Sequence, residues 1–277
     1  MARPRLVTVA EMMEWGLRGP VVSRRRAGGV RLASIATFLG VWALAAGIVE
    51  IGRLFNPIFL PGPWVVAGKV LRLGLDGQLW IHVGATLLRV AVGFTTGAAL
   101  ALVLGLLAGH VRGVRTLVEP VVELLRPIPP LAMLPLFIVW VGIGEGSKMG
   151  FITYATFFPM FLTTVAAVGR LDPRLIRAAQ SLGARPAQLF RHVILPAALP
   201  EILVGVRLGV ALAFFVIVIS EFIGAEAGLG YLINDGRNFF LVAQMLGAAA
   251  VLGLLGYVGS AGVGWLERRL VRGQHGG

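Results

Sequence analysis

The stretch RLDPRLIRAAQSLGARPAQLFRHVILP, residues 170–196, is basic, is punctuated by Gly183, Pro186 and Pro196, and separates two long apolar runs. Leu175, Ile176, Ala178, Ala179 and Leu182 recur at helical spacing, which predicts a short amphipathic helix carrying Arg174 and Arg177. Gly183 suits the position just past its C-terminus. Pro186 suits the first turn of a second helix reaching about Leu195, and Pro196 then starts the next apolar run. The segment therefore reads as a helix-turn-helix elbow. The adjacent alanines Ala178 and Ala179 leave little side chain in the way of a close helix approach, so a partner's groove can accept this ridge. Sidedness alone would explain the arginines but not the ordered Ala-Ala, Gly and Leu-Pro punctuation.

Around the elbow, the composition belongs in lipid. Hydrophobic residues make up 57% of the chain and charged residues 14%, against about 25% in soluble domains, and mean hydropathy is +0.85. Six apolar runs, residues 32–51, 83–108, 124–141, 149–168, 202–219 and 242–265, suit a ~30 Å hydrocarbon core at ~1.5 Å per residue. They lack period-two alternation, so helices are expected rather than barrel strands. The expected fold is an all-α integral membrane protein, a six-helix bundle. Three Gly-x-x-x-Gly pairs, Gly93/Gly97, Gly105/Gly109 and Gly205/Gly209, put small residues at a spacing suited to close helix packing.

Basic residues set the expected orientation. Seventeen of the 25 fall in the N-terminal tail through Arg31, at Arg112 and Arg115, in the elbow (Arg170, Arg174, Arg177, Arg185, Arg191), and at Arg268, Arg269 and Arg272. The positive-inside bias makes both termini and the elbow cytoplasmic. Expected boundaries are a cytoplasmic tail over 1–30, a transmembrane domain over 31–266 with its loop at 170–196, and a cytoplasmic tail over 267–277. The first span is expected to be retained, because a cleavable signal has a shorter apolar core and a shorter charged tail. The net charge of +12 follows from this topology and from anionic headgroups, and gives a nucleic-acid role little support. Between the first two spans, Pro57, Pro61 and Pro63 precede a helix-compatible segment, 65–73, and a break at Asp76 and Gly77. A short external helix lying near the membrane surface is expected there.

Residues that carry chemistry are sparse. Cysteine is absent, and His82, His110, His192 and His275 are scattered singly, so no metal site is expected. The third span holds Pro127, Pro129, Pro130 and Pro135 in or beside it. It is expected to be broken or to begin only near Pro130, and to be a candidate pathway lining. Arg89, Arg126 and Arg207 fall inside spans, where an unpaired charge is costly. On the expected topology Glu50 and Glu221 are candidate partners for Arg89, and Glu119, Glu123 and Glu201 for Arg126 and Arg207. Each arginine either locks helices together or lines a solute path.

With these residues in hand, the elbow resembles the EAA loop in permease subunits of bacterial ATP-binding-cassette importers. Ala178, Ala179, Gly183, Val193, Leu195 and Pro196 match its spacing, while Arg177 stands where the family has Glu and Val193 where it has Ile. Further stretches resemble the sulfonate, taurine and nitrate class: Leu60-Pro-Gly-Pro63, Leu87-Leu-Arg89, Leu125 to Pro130, Gly142-Ile-Gly-Glu145, Gly228-Leu-Gly-Tyr231 and Arg237-Asn238. The resemblance implies a type I importer permease in a bacterial inner membrane that forms the translocation path for a small solute, with a sulfonate or other small organic anion as the expected class. The assembly it implies comprises a permease dimer, two cytosolic ATPase subunits gripping the loops, and an external solute-binding protein.

No Gly-x4-Gly-Lys-Ser/Thr occurs in the sequence, so ATP hydrolysis is expected in a partner, and no cofactor is expected on this chain. An ion-coupled carrier or channel is the alternative. It would place carboxylates within the membrane and often show internal repeats, whereas the span interiors here hold arginines. A membrane enzyme would need a cluster of nucleophile, base or metal ligands, and none is visible.

Overall fold

The structure, a computed structural model, describes residues 24–53 and 56–272, and every regular element among them is helical. Residues 1–23 of the expected N-terminal tail and 273–277 of the C-terminal tail lie outside the described residues. The chain divides into two units, residues 1–63 and 64–277. The first holds helix α1 (Arg24–Gly52) and a 3-10 turn (Pro57–Phe59). Its membrane-length portion is Leu32–Gly52. The Asn56 side chain accepts from the Ile58 N–H at 3.1 Å and so starts the turn, with Pro57 supplying a fixed φ.

The second unit starts with α2 (Pro63–Leu75), the short helix expected there, which ends before Gly77 in the left-handed region. Then follow α3 (Gln78–His110), α4 (Arg112–Leu125), α5 (Pro130–Val141), α6 (Glu145–Gly169) and α7 (Pro173–Ser181). The chain continues through α8 (Pro186–Leu189), a π turn (Phe190–Ile194), α9 (Leu195–Phe222), α10 (Leu229–Asn238) and α11 (Val242–Arg272). Among the described residues five stretches are long and apolar enough to cross a membrane, or six if the bent pair α4 and α5 is one span.

Helices α3, α6 and α9 form the centre of this unit, and glycines set how closely they approach. A Cβ built on Gly93 would lie 2.7 Å from the Ile152 Cβ, one on Gly105 2.8 Å from the Thr164 Cβ, and one on Gly109 2.7 Å from the Val168 Cβ. Ala101 continues the row and is fully buried. The Gly-x-x-x-Gly spacing thus serves as the contact stripe of α3 on α6, and Gly205 and Gly209 do the same for α9 against Thr163 and Met160.

One expectation is met and one changes. The third span is broken as expected: α4 and α5 meet at a bend of 100°, and α5 begins at Pro130. Pro127, Pro129 and Pro130 remove donors across the break, and Pro130 opens α5. Helix α4 itself went unforeseen, because Arg112, Arg115, Glu119 and Glu123 hide it from a search for apolar runs. Val114, Val118 and Val122 recur every four residues and pack it onto the core, with Val122 buried.

The change is at the elbow's exit. A separate helix ending near Leu195 was expected, but α8, the π turn and α9 form one continuous helical stretch, Pro186–Phe222. Pro196 has no N–H to give to the preceding turn, and the wider winding places the Leu195 N–H on the Phe190 carbonyl instead. The elbow is therefore the root of a membrane helix.

Candidate functional site

At one end of the second unit lies the elbow. Asp172 caps α7 by accepting from the Arg174 N–H at 2.8 Å, and Pro173 occupies the first turn. The helix ends in a Schellman motif: the Ala184 N–H reaches the Ala179 carbonyl at 3.1 Å and the Gly183 N–H the Gln180 carbonyl at 3.0 Å. Gly183 has φ +81°, with open space where a Cβ would stand. Gly183→Ala therefore adds conformational strain without a clash, about 1–2 kcal/mol for a left-handed residue with a Cβ. Amide hydrogen exchange at residues 183 and 184 should accelerate in this variant; unchanged exchange would refute the cap assignment.

The structure separates the two alanines. Ala179 and Ile176 face inward onto the cluster of Ala167, Val168, Leu189 and Ile194. Leu175, Ala178 and Leu182 point outward, with Leu182 88% exposed. These three are spaced i, i+3, i+7 and so share one face of the helix. Arg177 is also exposed. Val193, Leu195 and Pro196 lie at the π turn and the start of α9, with Val193 packed against the same inner cluster. Arg170 pairs with Glu201 across the base of the elbow.

The opposite end holds a charged clasp. Arg89, 4% exposed, donates from Nη1 to Glu221 at 2.8 Å and binds Glu145 through Nε at 2.5 Å and Nη2 at 2.6 Å. Its Nη1 also reaches the Ala227 carbonyl at 2.5 Å. Glu221, fully buried, additionally accepts from Thr86 Oγ1 at 2.9 Å and from the Gly230 N–H at 2.7 Å. Thr86 Oγ1 in turn accepts from the Leu229 N–H at 2.8 Å, and His82 Nδ1 from the Gly228 N–H at 3.0 Å. Lys148 holds the carbonyls of Gly144 and Gly224 at 3.3 and 3.2 Å. Gly228 has φ +137°, and a Cβ there would strike the Glu221 carboxylate. Side chains of α3, α6 and α9 thus bind the loop ahead of α10 and its first turn, through the carbonyls of Gly224 and Ala227 and the N–H groups of Gly228, Leu229 and Gly230.

Sequence reasoning named Glu221 as a candidate for Arg89 and missed Glu145. Glu50, the other candidate, is exposed on α1. The other two span arginines are placed differently from expectation. Arg126 and Arg207 are exposed, and among the described residues neither forms an ion pair with Glu119, Glu123 or Glu201. Glu119 is held by Arg115 at 2.9 Å, and Glu201 by Arg170. No three His, Asp or Glu residues converge as metal ligands among the described residues.

The chain belongs to the family of binding-protein-dependent transport system inner membrane components, whose family model matches residues 101–273. It is 37% identical to the taurine transport system permease protein TauC of Escherichia coli (strain K12), over 86% of this chain and 87% of that one. The putative aliphatic sulfonates transport permease protein SsuC of Bacillus subtilis (strain 168) is 33% identical over 90% and 89%. The riboflavin transport system permease protein RibX of Chloroflexus aurantiacus is 38% identical over 82% and 84%. Among solved structures, the fold resembles the MetNI methionine ABC transporter in inward-facing conformations, with TM-score 0.59 and 23% identity over 69% of this chain and 95% of that one. The chain is an inner-membrane permease subunit of an ATP-driven importer, and a transport component rather than an enzyme.

Proposed function

We propose that this permease works with a second permease copy, cytosolic ATP-hydrolysing subunits and an external solute-binding protein, and that it admits a small organic anion of the alkylsulfonate class. Relatives of similar identity are named for taurine, for aliphatic sulfonates and for riboflavin. Identity at this level therefore leaves the solute open. The arginines within the spans favour an anion. Both termini and the elbow face the cytoplasm in this reading, supported by the arginine bias.

The observation that carries the coupling role is the exposed stripe Leu175, Ala178 and Leu182 on a helix that is otherwise basic outside and packed inside. Apolar side chains left in water on a capped, braced helix suit a partner's groove. Ile176, Ala179 and Val193 brace α7 against the root of α9, so a pull on the stripe enters one continuous helix, Pro186–Phe222. Arg177, standing in the family's Glu position, lies exposed on the same helix. Arg89 and Glu221, at the far end of that helix, hold the outer side of the bundle closed, and Arg207 lies along the same helix.

Ala178→Glu tests the coupling. Because Ala178 is exposed, the variant should insert and melt as the wild type does. It should fail to retain the ATPase subunit on purification and should take up no alkylsulfonate. Normal uptake with the ATPase retained would overturn the docking role.

A further inference from the structure

We propose that the cavity beside Arg126 is the permease's own binding site for the solute anion, with the Arg126 guanidinium on the charged group and an aromatic wall on the hydrocarbon. This rests on the anion reading given above and assigns it a place.

The cavity measures about 240 Å³ and is lined by Arg126, Ile128, Tyr154, Phe158, Pro159 and Leu212. Drug-sized ligands occupy roughly 300–1,000 Å³, so this volume suits a solute of a few heavy atoms. Its depth follows from α6. Tyr154 lies nine residues from Glu145 and fifteen from Gly169, about 14 Å and 22 Å at 1.5 Å per residue. The cavity therefore lies beside the central part of α6, away from both of its ends. Arg126 is exposed there and has no ion-pair partner among the described residues. A guanidinium at that depth needs water or an anion.

The surrounding backbone is built to hold it. Arg126 ends α4 at the 100° break, and the proline-rich link to α5 follows. Tyr154 fastens this link from the other side, with its hydroxyl 3.3 Å from the Leu125 carbonyl oxygen. Phe158 meets the Tyr154 ring edge-on at 4.9 Å between centroids, and Phe137 meets it at 6.1 Å. Broken backbone at membrane depth is tolerated where it lines a cavity. Arg89, by contrast, is fully engaged by two carboxylates and a carbonyl, which leaves it no donor pair for an incoming anion. A guanidinium also suits a sulfonate's oxygens, because its planar donors fork onto two of them at once.

The test uses the whole transporter, permease with its ATPase and binding protein, in liposomes, with ethanesulfonate as probe. Uptake and binding-protein-stimulated ATP hydrolysis are read together. Arg126→Gln should cut uptake about tenfold or more, the loss of a charge-assisted contact, while stimulated hydrolysis persists, so solute carried per ATP falls. Arg126→Lys should keep most uptake. Leu212→Trp, which fills the cavity without touching the charge, should also lower uptake and leave hydrolysis stimulated. Wild-type uptake in either Arg126→Gln or Leu212→Trp would overturn the site, as would loss of both readouts in Arg126→Gln, which marks a structural role. If the wild-type transporter ignores ethanesulfonate and carries a neutral or cationic solute, the anion reading itself has failed and this site falls with it.

Discussion

Arg89→Leu is expected to lower the stability of the second unit by about 3–5 kcal/mol, the cost of leaving a buried charge without its partner. Glu221 has no solvent to turn to, since its side chain is fully buried. Only Thr86 and the Gly230 N–H would remain to hold its carboxylate. The double variant Arg89→Leu/Glu221→Gln should recover much of the loss. Glutamine keeps the shape of the acid and still accepts from Gly230, and Glu145, half exposed, can be hydrated. Thermal melting of the purified protein checks this through the non-additivity of the two changes. Equal melting temperatures for the single and double variants would refute the assignment.

A comparison within the clasp sharpens the result. Glu145 makes two short hydrogen bonds to Arg89 and Glu221 one longer bond, so distance alone ranks Glu145 as the stronger partner. Burial reverses that order. The Glu145 side chain is 53% exposed and its pair is screened, whereas the Glu221 pair is dry. Arg89 should therefore couple more strongly to Glu221 than to Glu145 in matched double-variant cycles.

The parts of this architecture that sequence reveals are those set by local backbone chemistry. Gly183 ends α7 and Pro186 starts α8 because φ and the missing N–H are properties of single residues. Pro130 marks the start of α5 for the same reason. Glycine spacing on α3 also proves legible, since the stripe repeats at the helix period. What sequence conceals depends on which helices meet. Glu145, at the start of α6, lies 56 positions from Arg89, and no spacing rule joins them. Glu201 lay on the right side for Arg207 yet is taken by Arg170, a choice that sidedness cannot make. Ala178 and Ala179 are adjacent in sequence, but only the packing of α7 shows which one faces out. Helix α4 had a usable signal in Val114, Val118 and Val122, which a search for long apolar runs passes over.

The α3–α6 contact gives the second large effect. Gly97→Leu is expected to destabilise the bundle by about 3 kcal/mol, the upper part of the range for overpacking a tight core. A Cβ at Gly97 strikes the Thr156 hydroxyl and lies 2.9 Å from the Thr153 carbonyl oxygen, and backbone cannot rotate away as a side chain can. The two helices must therefore separate, which also opens the contacts at Gly93 and Gly105 on the same stripe. Helix propensity works the other way, because replacing Gly with Leu inside a helix gains about 0.5–1 kcal/mol. Gly84 isolates that gain: it lies on the same helix, and nothing stands within 4 Å of its built Cβ. Gly84→Leu should melt at or above the wild-type temperature and Gly97→Leu well below it. If both variants melt together, helix propensity rather than close approach governs these glycines, and the packing stripe has no energetic role.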